Sequence, residues 1–128
     1  MNFNILVVDD SPVMRQMIIK MLRLCDLDIN KVYEAGNGHE ALEQLKENEV
    51  DILFLDVNMP VMDGLEVLER VRHNPNVKAL PIFIISTESN KKRIEYIRSQ
   101  KANFLKKPFT PEQLRAKILE MYESLPKN

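Results

Sequence analysis

The 128-residue sequence contains no tryptophan, a single cysteine, three glycines and no apolar run long enough to cross a membrane. Because Cys25 stands alone, no internal disulfide can form, which is compatible with a reducing cytosol. The N-terminus also lacks the charged region and cleavage site of a secretory signal. These absences predict a cytoplasmic protein that does not associate with membranes.

An excess of charge is also missing, since 18 lysines and arginines face 19 aspartates and glutamates, for a formal net charge of -1. Such a chain offers no bulk electrostatic attraction for nucleic acid. The sequence has no repeat, low-complexity tract or linker. We therefore expect residues 1–128 to form a single domain, which is long enough to bury a sizeable core.

What the sequence does contain is an alternation of short apolar runs with helical patterns. Helix starts are marked by N-cap residues with proline or capping-box partners, at Ser11–Pro12, Asp63–Glu66 and Thr110–Gln113. Five βα units in succession predict an α/β fold, with a parallel sheet covered by helices on both faces. The predicted strands are Asn4–Asp9, Lys31–Ala35, Asp51–Asp56, Leu80–Ser86 and Asn103–Lys107.

These strands differ in how apolar they are. ILVV, ILFL and IFII are continuous apolar runs, as expected of central strands, whereas VYEA and NFLKK are mixed and suit sheet edges. With right-handed crossovers, the strand order 2-1-3-4-5 satisfies this pattern and gives a doubly wound, flavodoxin-like (βα)5 fold. Helical periodicity predicts one buried face in the first helix and one in the last. The predicted buried residues are Val13, Met14, Met17, Ile18, Met21 and Leu22 in the first helix and Leu114, Ile118, Leu119 and Tyr122 in the last.

Three aspartates close neighbouring strands of this predicted sheet. Asp9 and Asp10 follow the first strand and Asp56 ends the third, so their carboxylates should meet at the switch point where such folds bind ligands. Like charges at this spacing raise one another's pKa, and a hard divalent cation relieves the repulsion. Oxygen ligands favour Mg²⁺ or Mn²⁺, and the loop at Asn58 can add a backbone carbonyl.

Two further polar residues end strands at the same edge. Ser86 closes IFII, and Lys107 closes the fifth strand before Pro108. A lysine ammonium and a serine hydroxyl both suit phosphoryl oxygens. Together with the carboxylates and a metal, they predict a phosphoryl-transfer site in which the central Asp56 is the candidate nucleophile.

Four segments, in order along nearly the whole chain, resemble the motifs of the response-regulator receiver domains, and most closely those of stand-alone chemotaxis regulators of the CheY type. VVDDSPVMR resembles the acidic-pair segment and LDVNMPVMDG the phosphoacceptor loop. LPIFIIST resembles the switch strand and FLKKPFTPEQL the lysine–proline turn. The resemblance implies a two-component signalling protein rather than an ordinary enzyme, with at most self-catalysed phosphorylation and dephosphorylation.

The resemblance also implies specific partners and roles. Asp56 would accept phosphate from a histidine kinase, and Asp9, Asp10 and the Asn58 carbonyl would hold Mg²⁺ together with it. Phosphorylation would then change the affinity of the face formed by the fourth helix, fifth strand and fifth helix for a downstream protein. In chemotaxis that target would be a flagellar motor switch protein, and the chain itself would be a monomer.

Further implied roles surround the phosphoryl group. Lys107 and Ser86 would contact it, and the Lys107–Pro108 peptide bond is expected to be cis. Thr87 and Glu88, together with Asn58, occupy positions that tune phosphoryl lifetime and access. Phe104 occupies the aromatic switch position, where chemotaxis members usually have tyrosine, and ordinary core packing is the alternative for it.

Two regions leave alternatives open. The segment SQKANFL lacks the glycine usual before the fifth strand and is one residue short, so the shape of that loop is not fixed by the resemblance. The fourth helix carries a basic, sparsely apolar surface, which could be simply solvated or could bind a partner. Its basic residues and those just after it are Lys91, Lys92, Arg93, Arg98 and Lys101.

Competing functions fit less well. An aspartate-nucleophile phosphatase needs an acid/base aspartate where Asn58 stands, and a flavin-binding protein needs a glycine- and hydroxyl-rich loop where DDSPVMRQ stands. Within the family, a phosphorelay intermediate and a receiver cut from a larger transcriptional regulator remain alternatives to a chemotaxis regulator.

Overall fold

The computed structural model describes residues 2–124, in which five strands and five helices alternate. The strands are β1 (Phe3–Val8), β2 (Ile29–Ala35), β3 (Ile52–Asp56), β4 (Ile82–Ser86) and β5 (Asn103–Lys106). The helices are α1 (Pro12–Leu24), α2 (Gly38–Glu47), α3 (Gly64–Arg72), α4 (Lys91–Ser99) and α5 (Pro111–Ser124). None of these described helices combines the length and hydropathy that a bilayer crossing requires.

The strands form one parallel sheet in the order β2-β1-β3-β4-β5, which confirms the predicted fold and strand order. The continuous apolar runs are the central strands, because a strand covered by helices on both faces needs apolar side chains on both sides. Predicted and observed strand limits differ by at most two residues. β4, for example, begins at Ile82 instead of Leu80.

Helix starts lie where the capping signals predicted them. The side chain of Ser11 caps α1, and Asp63 caps α3 by accepting the Glu66 N–H at 3.0 Å. Thr110 and Gln113 form a reciprocal capping box at the start of α5, with bonds of 2.9 and 3.1 Å. These caps begin each helix close to the carboxyl edge of the sheet and so fix the loops that carry the polar residues.

Two hydrophobic cores lie on opposite faces of the sheet. One contains α2, α3 and α4, and the other contains α1 and α5. Alternate residues of each central strand serve the two cores, as the period of a strand requires. In β3, Leu53 and Leu55 face the first core, while Ile52 and Phe54 face the second, where Phe54 stacks on Phe83 with ring centroids 5.2 Å apart.

The predicted buried face of α1 is partly wrong. Val13 and Met17 are 69% and 50% exposed, and Ile19 is buried instead. The inward side of the helix also carries Arg15, whose Nη1 donates to the Asp9 backbone oxygen at 2.7 Å. Arg15 thus occupies part of the helix side that is turned to the sheet. The apolar stripe of α1 is accordingly rotated about the helix axis relative to the predicted stripe. The buried residues of α1 are Ile18, Ile19 and Leu22.

In α5, the predicted stripe is closer to the observed one. Leu114 and Ile118 are buried, and Met121 joins them. Leu119 and Tyr122 are only half-buried, and the Tyr122 ring meets Phe3 edge-on.

Candidate functional site

Asp9, Asp10 and Asp56 come together at the carboxyl edge of the sheet. β1 and β3 are neighbours, so the residues that follow or end them lie side by side. One carboxylate oxygen from each aspartate lies within 4.8 Å of the others. Asp9 and Asp56 are buried and Asp10 is exposed, which gives the cluster an open side.

Hydrogen bonds within the described part of the chain fix Asp9 in place but leave its carboxylate oxygen Oδ2 without one. Its Oδ1 accepts the Ser11 N–H at 2.9 Å, and its backbone oxygen accepts from Arg15, which in turn pairs with Glu34 at 3.0 Å. Its Oδ2 is buried and accepts no hydrogen bond from any residue between 2 and 124. A buried carboxylate oxygen that accepts no hydrogen bond is costly, and it can ligate a cation.

Lys107 is the basic residue that faces this cluster. Its Nζ lies 3.9 Å from Asp9 Oδ2 and 3.8 Å from Asp56 Oδ1, close enough for ion pairing but too far for hydrogen bonds. Its backbone N–H donates to the Ser86 backbone oxygen at 2.9 Å, and the Lys107–Pro108 peptide bond is cis. Lys107 thus lies between the carboxylates of Asp9 and Asp56 without donating a hydrogen bond to either one.

The protein environment disfavours the charged forms of the two buried aspartates. Burial raises the pKa of Asp56, the Asp9 charge raises it further, and Lys107 and the Asn58 backbone N–H oppose both effects. Burial also raises the pKa of Asp9, against the Ser11 N–H and Lys107. Burial is therefore the larger cause, where the sequence had suggested mutual repulsion. An oxygen-only ligand set with surplus negative charge, one of whose buried oxygens accepts no hydrogen bond from the described residues, fits a hard divalent cation.

The loop after Asp56 depends on a glycine that the sequence pattern did not mark as functional. A Cβ on Gly64 would overlap the Asp56 backbone oxygen and lie 2.8 Å from the Val57 Cα. The Gly64 N–H donates to the Val57 oxygen at 2.9 Å, which draws the start of α3 against the end of β3. The signal in the sequence is a glycine placed directly after a predicted N-cap, Asp63.

Ser86 lies at the end of β4 and is buried. Its Oγ accepts the Glu88 N–H at 3.0 Å, so in this structure the hydroxyl is engaged with its own loop. Thr87 is exposed, and Phe104 is half-buried against the core that contains α4. Thr87 and Glu88 thus belong to the short connection between Ser86, at the end of β4, and α4.

The loop before β5 shows how the chain does without the usual glycine. Lys101 itself adopts the left-handed conformation, with φ 58°. Arg72, which no sequence motif marked, donates to the backbone oxygens of Gln100 at 2.6 Å and Lys101 at 3.3 Å. The same guanidinium reaches the backbone oxygens of Lys78 and Leu80 at 3.1 and 2.7 Å, so it joins the loop before β4 to the loop before β5.

Several charged or titratable residues lie outside the acidic cluster, on the surface. Lys106, His39 and His73 are exposed. Within α4, all of which the structure describes, Ile97 is the one buried side chain, so the helix presents a largely polar face. The exposed basic residues of this face are Lys91, Lys92, Arg98 and, just beyond the helix, Lys101.

The fold and the site define a class, a doubly wound α/β domain with an acidic cluster and an opposing lysine at the switch point of its sheet. The family model described as response regulator receiver domain matches residues 5–119. The chain belongs to this family, as its motifs suggested.

Chemotaxis proteins are among its relatives. The chain is 42% identical to chemotaxis protein CheY1 of Helicobacter pylori over 118 residues, covering 89% of this chain and 92% of that protein. It is 35% identical to chemotaxis protein CheY-3 of Vibrio cholerae over 125 residues, covering 97% of this chain and 95% of that protein. The solved structure of Vibrio cholerae chemotaxis protein CheY4 superimposes with a TM-score of 0.82 at 33% sequence identity, covering 94% of this chain and 98% of that one. The chain is therefore a CheY-like receiver, a signalling domain.

Proposed function

We propose that this chain is a phosphorylation-controlled response regulator in which Asp56 accepts a phosphoryl group from a histidine kinase. The observation that carries the proposal is the buried Oδ2 of Asp9, which accepts no hydrogen bond from the described residues and lies beside Asp56 and Lys107. Burying such an oxygen costs desolvation energy that no hydrogen bond from the described residues returns. A bound divalent cation would supply the missing partner of this oxygen and would also offset the charge of a phosphoryl group on Asp56.

The geometry of the acidic cluster and Lys107 supports the proposed roles. Asp9, Asp10, Asp56 and the Asn58 carbonyl would hold Mg²⁺, with Mn²⁺ as a substitute, and the bound ion would neutralise charge on the phosphoryl oxygens. An Asp56 carboxylate oxygen forms the new bond to phosphorus as the P–N bond of the donor's phosphohistidine breaks. Lys107, already between the two carboxylates, binds a phosphoryl oxygen.

The response would pass through Ser86. A phosphoryl group adds about two negative charges, and the Ser86 hydroxyl would turn from Glu88 toward it. Phe104, packed against the core on the α4 side, would follow that change. The segment that carries this surface is strongly basic, with nine lysines and arginines, Lys107 included, against two glutamates between residues 91 and 117.

A basic surface of this kind suits an acidic segment of a protein partner. In keeping with its chemotaxis relatives, we propose that the partner belongs to a chemotaxis pathway, with a flagellar motor switch protein as the first candidate. We further propose that the chain spans one domain over residues 1–128 and acts as a monomer in the cytoplasm. Self-catalysed loss of the phosphoryl group would end the signal.

Intact-mass spectrometry with a small-molecule phosphodonor tests the proposal. We expect one added phosphoryl group in the presence of Mg²⁺ and none after chelation or in Asp56→Asn. Asp63→Asn is the matched control, since Asp63 lies in the same loop and asparagine also caps helices, so it should be phosphorylated normally. Modification of Asp56→Asn, or failure of the wild type under every metal condition, would exclude the proposed acceptor.

A further inference from the structure

Glu88 is held on the α4 side of the acidic cluster by contacts to both of its carboxylate oxygens. Oε1 accepts the Asn90 N–H at 3.0 Å, and Oε2 pairs with Arg93 Nη1 at 3.2 Å. The Glu88 side chain is only 17% exposed. Its orientation is thus set by the first turn of α4 and not by the cluster.

The same residue is hydrogen-bonded to Ser86, at the end of β4, through its backbone. The Glu88 N–H donates to Ser86 Oγ, the hydroxyl that the proposed function requires to turn toward a phosphoryl group. If Ser86 turns away, the Glu88 N–H loses its acceptor and the loop that orients the Glu88 carboxylate loses an anchor. Phosphorylation and the Glu88–Arg93 ion pair therefore oppose each other.

Arg93 can transmit this opposition to a partner. It lies in the first turn of α4, and its side chain is 41% exposed, so a partner's carboxylate can reach it. The first turn is also held by Asn90, whose Oδ1 accepts the N–H groups of Lys92 and Arg93 at 2.9 and 3.2 Å. A change at Glu88 reaches the helix start through Asn90 and Arg93 together.

We propose that Arg93 is a positioning residue for the phosphorylation site. Its ion pair holds Glu88 and Ser86 in the unphosphorylated arrangement until an acidic group of the partner binds the Arg93 guanidinium in place of Glu88. This inference rests on the proposed function. Because coupling between two sites is reciprocal, the partner's hold on Arg93 and a phosphoryl group on Asp56 favour each other.

Binding of beryllium trifluoride, a non-covalent mimic of the phosphoryl group, measures this coupling at equilibrium. Isothermal titration calorimetry in the presence of Mg²⁺ would compare the wild type with Arg93→Gln. We expect Arg93→Gln to bind the mimic about two- to fivefold more tightly, the effect of losing one half-exposed ion pair that favours the free state. Simple loss of a positive charge near an anion site predicts weaker binding, so the sign of the change separates the two explanations.

Three further variants complete the test. Arg93→Lys keeps the charge and should return the affinity toward that of the wild type. Arg98→Gln makes the same charge change on the same helix, without the contact to Glu88, and should not tighten binding. In a Glu88→Gln background, Arg93→Gln should have no tightening effect, since the pair is already lost.

The outcomes are distinguishable. Binding by Arg93→Gln that equals or is weaker than that of the wild type would overturn the inference while leaving the proposed function in place. Equal tightening by Arg98→Gln, or full tightening in the Glu88→Gln background, would also overturn it. Failure of the wild type to bind the mimic would instead refute the proposed function, and with it this inference.

Discussion

Replacing Asp56 by asparagine is expected to stabilise the fold at neutral pH when divalent cations are removed. Asp56 is buried, and burial followed by the charge of Asp9 raises its pKa in the folded state. An acid whose pKa is raised by folding destabilises the folded state once it is ionised. Asparagine has nearly the same shape and carries no charge, so it removes this cost.

The expected magnitude follows from the distances. Two unit charges at the 4.8 Å limit of the acidic cluster repel by about 3–4 kcal/mol at an effective dielectric constant of about 20. Lys107 Nζ, 3.8 Å from Asp56 Oδ1, attracts by about 4 kcal/mol on the same basis. Because these two interactions nearly cancel, the cost of burying the ion decides the sign. We expect a net gain of about 1–3 kcal/mol in the free energy of unfolding.

Thermal unfolding followed by far-UV circular dichroism measures the gain, since the chain has no tryptophan for fluorescence. At neutral pH with a chelator, the Tm of Asp56→Asn should exceed that of the wild type by about 3–10 °C. As the pH falls through the raised pKa toward the ordinary value of 3.8, the wild type takes up its proton and the difference should disappear. Added Mg²⁺ should raise the Tm of the wild type and narrow the difference.

Asp63→Asn serves as the control, because Asp63 is exposed and should show no comparable gain. A wild type as stable as Asp56→Asn in chelator at neutral pH would refute the reasoning. So would a difference that persists unchanged below pH 3.8, because both side chains would then be neutral.

Three backbone and side-chain contacts allow further predictions, each measured by urea unfolding. Gly64→Ala should destabilise the fold by about 3 kcal/mol or more and reduce phosphorylation, because its Cβ meets the backbone of Asp56 and Val57. Val61→Asn should stabilise it by about 1 kcal/mol, since Val61 has φ 68°, is 93% exposed and is β-branched, whereas asparagine tolerates the left-handed region. Arg72→Met should cost about 3 kcal/mol, because four backbone oxygens lose their donor.

Each of these has an opposing result that would contradict it. An alanine at Gly64 that leaves both stability and phosphorylation unchanged would mean that the loop has room the structure does not show. A destabilised Val61→Asn would mean that the valine side chain makes contacts that outweigh its backbone conformation. Wild-type stability in Arg72→Met would mean that water replaces the guanidinium without cost.

The parts of the fold that follow from local patterns could be predicted from the sequence. ILVV, ILFL and IFII are predicted to be central strands because each is apolar on both faces, and the structure confirms this. β1 and β3 are neighbours, so the meeting of Asp9 and Asp56 follows from the strand order. The strand order puts Lys107 at the same edge of the sheet, and its side chain brings its ammonium group near both carboxylates. The helix caps at Ser11 and Asp63 needed only their neighbours in sequence.

Features that depend on side chains meeting across loops could not be predicted in this way. The rotation of α1 depends on Arg15 reaching Asp9 and Glu34, which no hydrophobic periodicity records. The bond from Glu88 to Ser86 is set by the conformation of a single short loop. Arg72 reads as an ordinary basic residue at a helix C-terminus, and only the folded chain shows which oxygens it binds.

For the proposed phosphorylation of Asp56, the position of Arg72 predicts where along α4 the resulting change can be observed. The guanidinium fixes the carbonyl that ends the helix, at Gln100, while the start of the helix is attached to Ser86 through Glu88 and Asn90. If α4 moves as a rigid helix held at its C-terminal end, a change at Ser86 displaces its N-terminal end the most. A spectroscopic label at Lys91 should therefore register the signal strongly, and the same label at Ser99 should register little of it.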